Sequence, residues 1–111
     1  MDYRSIDDRY AVSGQITADQ MAEIKAAGFK SVICNRPDGE QPGQPTATEI
    51  GLAAEAAGLA FRHIPVVSGQ ITPTDVEKVA AALDELNGPV FAYCRSGARS
   101  TNLYMMATGR G

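Results

Sequence analysis

Apolar and polar residues along this chain switch repeatedly between a strand-like and a helix-like period. Short β-prone runs lie at Lys30–Cys34, Ala60–Val66 and Pro89–Tyr93, and Tyr10-Ala11-Val12 reads as a further strand. Three helical stretches separate them, each opened by the same kind of signal. Thr17-Ala18-Asp19-Gln20, Thr46-Ala47-Thr48-Glu49 and Thr72-Pro73-Thr74-Asp75 each place a Thr three residues ahead of an acid or amide. In that spacing the hydroxyl accepts from an orphan backbone N–H and the later side chain reaches back. Pro73 suits a first helical position. Ile16 is placed to staple onto Met21, and Ile71 onto Val76. Gly28, Gly58 and Gly88 follow these stretches as expected stops. In the third, Val76, Val79, Ala80 and Leu83 share one face.

Helices alternating with strands through short loops predict an α/β fold, a mostly parallel central sheet flanked by helices. The longest expected loop is Asn35–Pro45, rich in Gly and Pro. Ser-Gly-Gln-Ile-Thr occurs at Ser13–Thr17 and again at Ser68–Thr72. Five residues are too few to establish a duplication, so both copies are read as strand-to-helix turns. The 111 residues predict one domain spanning 1–111.

Composition adds exclusions. Net charge is −3 and no basic block stands out, which argues against nucleic acid or anionic membrane as partners. No apolar run approaches the ~20 residues of a membrane span, and no signal-peptide pattern opens the chain. A cytoplasmic location with reduced cysteines is expected. No metal-ligand spacing and no Gly-rich nucleotide fingerprint is present, so neither metal nor cofactor is expected. The ending Ala107–Gly111 leaves the last helix short, as if a partner or second subunit covered it.

The chemistry concentrates at Cys94-Arg95-Ser96-Gly97-Ala98-Arg99-Ser100. Pro89–Tyr93 reads as a buried central strand, and Ser100–Met106 as a helix. Cys94 therefore falls where open α/β sheets bind ligands, off the carboxyl end of a strand. A helix start offers free N–H groups and the positive end of a dipole, which favour a thiolate or a bound oxyanion. Gly97 lets the backbone curl into an anion-holding nest, and Arg99 adds a planar two-oxygen fork. Cys94 and Arg99 are the expected catalytic pair, with Arg95, Ser96, Gly97, Ala98, Arg99 and Ser100 holding the anion.

This loop resembles that of rhodanese-type sulfurtransferases, and also a cysteine-phosphatase loop shortened by one residue. Together with Ser31–Glu40 and Phe61–Val66, it is similar over nearly the whole chain to the bacterial phosphatase-like domain found alone or fused to metallo-β-lactamase-like hydrolases. The resemblance implies a dual-specificity-phosphatase-like fold with a rhodanese-like loop, and a hydrolase of that kind as a fusion or functional partner.

Two chemistries fit a Cys94 thiolate. As a sulfurtransferase it takes sulfur from thiosulfate or a persulfide and passes it to a thiol acceptor. As a phosphatase it forms a phosphocysteine, with Arg99 and the loop amides on the phosphoryl oxygens and Ser100 helping the thiolate leave. The four-residue spacing, and the lack of an acid in Val67-Ser68-Gly69-Gln70, favour sulfur transfer. Phosphoester hydrolysis is the alternative and a non-catalytic anion-binding module the third reading. Asp38 and Glu40 are possible stand-in acids, Arg36 a possible second anion ligand and His63 a possible thiol partner. Cys34 is read as a buried strand residue.

Overall fold

The computed structural model describes residues 1–109. In chain order its elements are β1 (Arg4–Asp7), β2 (Tyr10–Ser13), a 3-10 turn (Ala18–Gln20) running into α1 (Met21–Ala26), β3 (Ser31–Cys34), α2 (Ala47–Ala56), β4 (Ala60–His63), α3 (Pro73–Glu85), β5 (Val90–Tyr93) and α4 (Ala98–Thr108). The strands form one sheet in the order β1-β2-β5-β3-β4. β2, β5, β3 and β4 are parallel; only β1 runs antiparallel, against β2. The last strand thus inserts between β2 and β3, and the loop after Tyr93 emerges at the centre of the sheet's carboxyl edge.

Side chains alternate across each strand, so the sheet builds two cores. Ala11, Val32, Phe91 and Tyr93 face α1 and α2, packing with Ile24, Ile50 and Ala54. Tyr10, Val12, Ile33, Val90 and Ala92 face α3 and α4, packing with Val79, Ala82 and Leu103. β3 and β5 are buried on both faces, which is why their sequences read as continuous apolar runs.

The Thr signals do mark helix starts, by different means. At Thr72 the box closes: Thr72 Oγ1 accepts from Asp75 N–H at 3.1 Å and Asp75 Oδ2 accepts from Thr72 N–H at 2.9 Å. At Thr46 the hydroxyl accepts from Glu49 N–H at 3.1 Å, while Ala47 N–H donates to Asp38 Oδ1 at 2.8 Å. Other expectations need correction. β1 has no counterpart among the expected strands. β4 ends at His63 rather than Val66, although Ile64 N–H and Val66 N–H still bond to β3 and its extension at 2.9 and 3.1 Å. Pro65 between them has no N–H to give. Gly88 is not a left-handed stop; α3 closes on an extended Leu86, and Gly88 precedes a cis Pro89. α4 begins at Ala98, two residues early, with glycine as its cap. No described helix is long and apolar enough to cross a membrane. Arg110 and Gly111, part of the ending expected to meet a partner, lie outside the described residues.

Candidate active site

Cys94 leaves β5 with its N–H bonded to Ser13 O at 3.2 Å, so β2 still holds the chain as the loop starts. The loop then turns through Gly97, whose φ of 94° is a left-handed conformation that a side chain disfavours. Gly97 N–H points back and donates to Cys94 Sγ at 3.0 Å. On the other side, Gly14 lies under the loop. A Cβ at Gly14 would sit 2.9 Å from Arg95 O, so the loop rests on bare backbone there. α4 begins directly after Gly97, aiming its N-terminus at the sulfur.

Cys94 is 1% exposed, and burial alone would raise its thiol pKa. Bonds from the peptide groups of Ser100, Ser96 and Gly97, with a smaller pull from the Ser100 hydroxyl, outweigh it and hold the thiol below its ordinary value. Ser100 is fully buried, and its hydroxyl donates to Asn35 Oδ1 at 2.8 Å. A hydroxyl has one proton, so it serves either Asn35 or the thiolate. Asn35 is itself fixed, its N–H on Tyr93 O at 2.8 Å and its amide on Ile64 O at 3.1 Å.

Arg99 is 8% exposed and grips Glu40 with both Nη atoms: Nη1 to Oε2 at 2.8 Å and Nη2 to Oε1 at 3.0 Å. Nη1 also donates to Val66 O at 2.9 Å. These bonds use three of the guanidinium's five donors. Among the described residues, Nε–H and the second Nη2 hydrogen, which together form another two-pronged edge, are left over. Arg95 and Ser96 are exposed at the loop's rim; Ser96 Oγ accepts from Ala98 N–H at 3.3 Å, and Ala98 is exposed as well.

The three residues read as possible participants go elsewhere. Arg36 is 2% exposed and binds side chains rather than the Cys94 loop: Nε to Glu40 Oε1 at 2.8 Å, Nη2 to Gln41 Oε1 at 2.8 Å and Nη1 to Gln15 Oε1 at 3.1 Å. Asp38 caps α2. His63 Nε2 donates to Arg36 O at 3.1 Å, and Cys34 Sγ donates to the same carbonyl at 3.3 Å. Burial raises the Cys34 thiol, which stays protonated. Glu40, read as a stand-in acid, is the wrong protonation state for one. Its bonds to Arg99, against some burial and with help from Arg36, hold it below the usual carboxylate range. Sequence reading missed Gly14, Gln15, Asn35 and Gln41 altogether. The available signal was positional: each directly follows, or lies in the loop behind, a strand ending at the same sheet edge as Cys94.

The family model for the beta-lactamase hydrolase-like protein, phosphatase-like domain, matches residues 2–110. The chain belongs to this phosphatase-like family. A beta-lactamase hydrolase-like protein of Agrobacterium fabrum strain C58 is 42% identical over 101 residues, covering 91% of this chain and 23% of that protein. The chain thus spans about a quarter of the length of such curated relatives. A candidate phosphatase of Neisseria meningitidis Z2491 superposes with a TM-score of 0.84 at 36% identity, over 91% of this chain and 72% of that one. Tk-PTP in its active form gives 0.64 at 18% identity, over 96% and 80%, a likeness of fold alone. The phosphatase-like domain therefore has a cysteine-phosphatase-like α/β fold, and its relatives point to an enzyme of the hydrolase class.

Proposed function

We propose that this domain is a cysteine-dependent phosphatase, which reverses the order that the loop spacing alone favoured. The observation that carries the reading is the pairing of a buried, N–H-stabilised Cys94 thiolate with an Arg99 already fixed by Glu40 and still offering one two-pronged edge. Sγ attacks phosphorus, an S–P bond forms and the P–O bond to the leaving group breaks. Arg99 and the loop amides take the charge of the equatorial oxygens. Water then attacks the phosphocysteine, releasing phosphate and the thiolate, to which the Ser100 hydroxyl can swing from Asn35. Asp38 and Asp75 are engaged by the backbone N–H groups of Ala47 and Thr72, and Glu40 by two guanidiniums, so none of the three is placed to serve as the acid and the leaving group draws its proton from solvent. Aryl phosphates, whose leaving groups need least help, are the substrates to assay.

One observation favours sulfur transfer as a second reading: only four residues separate Cys94 from Arg99. Attack of Cys94 Sγ on the outer sulfur of a thiosulfate or persulfide donor would break the donor's S–S bond, release sulfite or a thiolate without need of an acid and leave Cys94 as a persulfide, whose outer sulfur passes to a thiol acceptor.

The deciding experiment runs both assays on the intact domain. Hydrolysis of an aryl phosphate that vanishes in Cys94→Ser, and falls about a hundred- to a thousandfold in Arg99→Lys, supports the phosphatase. A mass gain of one sulfur on Cys94 after thiosulfate, with no phosphate released from the aryl ester, overturns it. Thiolate absorbance should rise with a midpoint below the ~8.5 of a free thiol. Because folding favours this anion, its contribution to stability is full above the unfolded thiol pKa and is lost as pH falls through the folded one.

A further inference from the structure

We infer that Arg36 is a positioning residue for the anion site, acting on Arg99 through the Glu40 carboxylate that both guanidiniums grip. The inference rests on the phosphatase reading and extends it to a residue that does not touch the reacting atoms.

Glu40 sits on the long loop between β3 and α2, where a side chain would ordinarily be mobile. It is held instead from two sides. Oε1 accepts from both Arg36 Nε at 2.8 Å and Arg99 Nη2 at 3.0 Å, and Oε2 accepts from Arg99 Nη1 at 2.8 Å. Arg36 cannot drift. Gln15 and Gln41 take its two Nη atoms, while His63 and Cys34 both donate to its carbonyl oxygen. The position of Arg99 is thus tied to β2 through Gln15, to β3 through Cys34 and to β4 through His63. An arginine must be oriented before it binds two oxygens at once, and this clamp supplies that ordering in advance.

Charge and geometry make opposite forecasts for Glu40, which is what makes the inference testable. A carboxylate beside an oxyanion site repels the anion, so simple electrostatics says that removing it tightens phosphate binding. If Glu40 orients Arg99, removing it weakens binding. Arg36→Gln lowers anion affinity on either view, but only the clamp makes that loss depend on Glu40.

The test is a double-mutant cycle of Arg36→Gln and Glu40→Ala, reading the dissociation constant of inorganic phosphate by calorimetry, with the melting curve of each variant as a check on folding. Each single variant should weaken phosphate binding about tenfold, as expected when a charge-assisted bond loses its geometry. Arg36→Gln should add nearly nothing once Glu40 is alanine. Tighter binding in Glu40→Ala, or an equal Arg36→Gln loss in both backgrounds, overturns the inference. The milder pair Arg36→Lys and Glu40→Gln serves if a first variant does not fold. A second readout is independent of phosphate. The Arg99 Nη–H signals bonded to Glu40 should, in a nitrogen-15 spectrum, be protected from solvent exchange in the native protein and lose protection in Arg36→Gln. Unchanged protection overturns the clamp. If the native domain binds no phosphate and hydrolyses no aryl ester, the phosphatase reading fails, while this spectrum still decides whether Arg36 orders Arg99.

Discussion

The two copies of Ser-Gly-Gln-Ile-Thr carry the same side chains to different ends. In the first, Ser13 closes β2 and accepts Cys94 N–H, Gly14 lies against Arg95 O, Gln15 holds Arg36, and Ile16 is 1% exposed in the core under α1. In the second, Ser68, Gly69 and Gln70 form an exposed turn, Gly69 takes a φ of 76°, Ile71 is half-buried and Thr72 caps α3. Both are turns into helices, as the sequence suggested, but only the first underlies the Cys94 loop. The difference comes from the sheet order. β2 neighbours β5, so the turn leaving β2 meets the loop leaving β5, whereas β4 is an edge strand with β3 between it and β5.

Truncating the two isoleucines should separate the copies most. Ile16→Ala removes a nearly enclosed side chain and should cost about 2–5 kcal/mol in a denaturant titration. Ile71→Ala, half-buried, should cost about 1 kcal/mol. Equal losses would mean that the second turn packs as firmly as the first.

The glycines should differ in kind as well as size. Gly14→Ala pushes a methyl into Arg95 O with backbone on both sides, a steric cost of about 1–3 kcal/mol. Since the shift falls on the loop carrying Cys94, aryl phosphatase activity should drop more than stability does. At Gly69 a Cβ meets nothing within 4 Å, but the positive φ still disfavours alanine. Gly69→Ala should lose about 1 kcal/mol and leave phosphate affinity unchanged. An activity loss from Gly69→Ala matching that from Gly14→Ala would place the second turn at the site too.

How much of this could be read from the chain depends on the range of the interaction. Helix entries at Thr46 and Thr72 are local bonds three residues apart, and the sequence displays them. β3 and β5 show as apolar runs because both faces are buried. β1 did not show, since Arg4-Ser5-Ile6-Asp7 is a largely exposed edge strand with no apolar face to display. The start of α4 was misplaced because its cap is Gly97, whose contribution is a backbone angle rather than a hydroxyl. The nucleophile loop was legible as a contiguous motif. The partner of its arginine was not: Glu40 and Arg99 lie 59 residues apart, and nothing in either neighbourhood names the other.

The glutamines offer a finer contrast. Gln15 Oε1 is one of three side-chain acceptors around a nearly buried guanidinium. Gln15→Ala should cost about 1.5 kcal/mol, the lower range for a bond to a charged group, since Gln15 is half-buried and water can partly replace it. Phosphate affinity should fall slightly, by less than in Arg36→Gln. Gln70→Ala, on an exposed turn, should change neither quantity measurably.

The smallest difference is expected at the threonines that end the two copies. Thr72→Ala strips Asp75 N–H of its acceptor at the head of α3 and should cost about 1 kcal/mol by thermal melting. At Thr17 the first turn is 3-10, so Gln20 N–H already bonds to the Thr17 carbonyl at 3.1 Å, and Gln20 Oε1 accepts from Thr17 N–H at 2.9 Å. Both bonds use backbone atoms of Thr17 and survive truncation of its side chain, which removes the hydroxyl's bond to the exposed Asp19 carboxylate and its share of the capping box. Thr17→Ala should therefore cost less than Thr72→Ala, by about half a kcal/mol. A reversed order would show that the hydroxyl, rather than the backbone, fixes the start of α1, and with it the turn on which Gly14 and Gln15 are carried to the Cys94 loop.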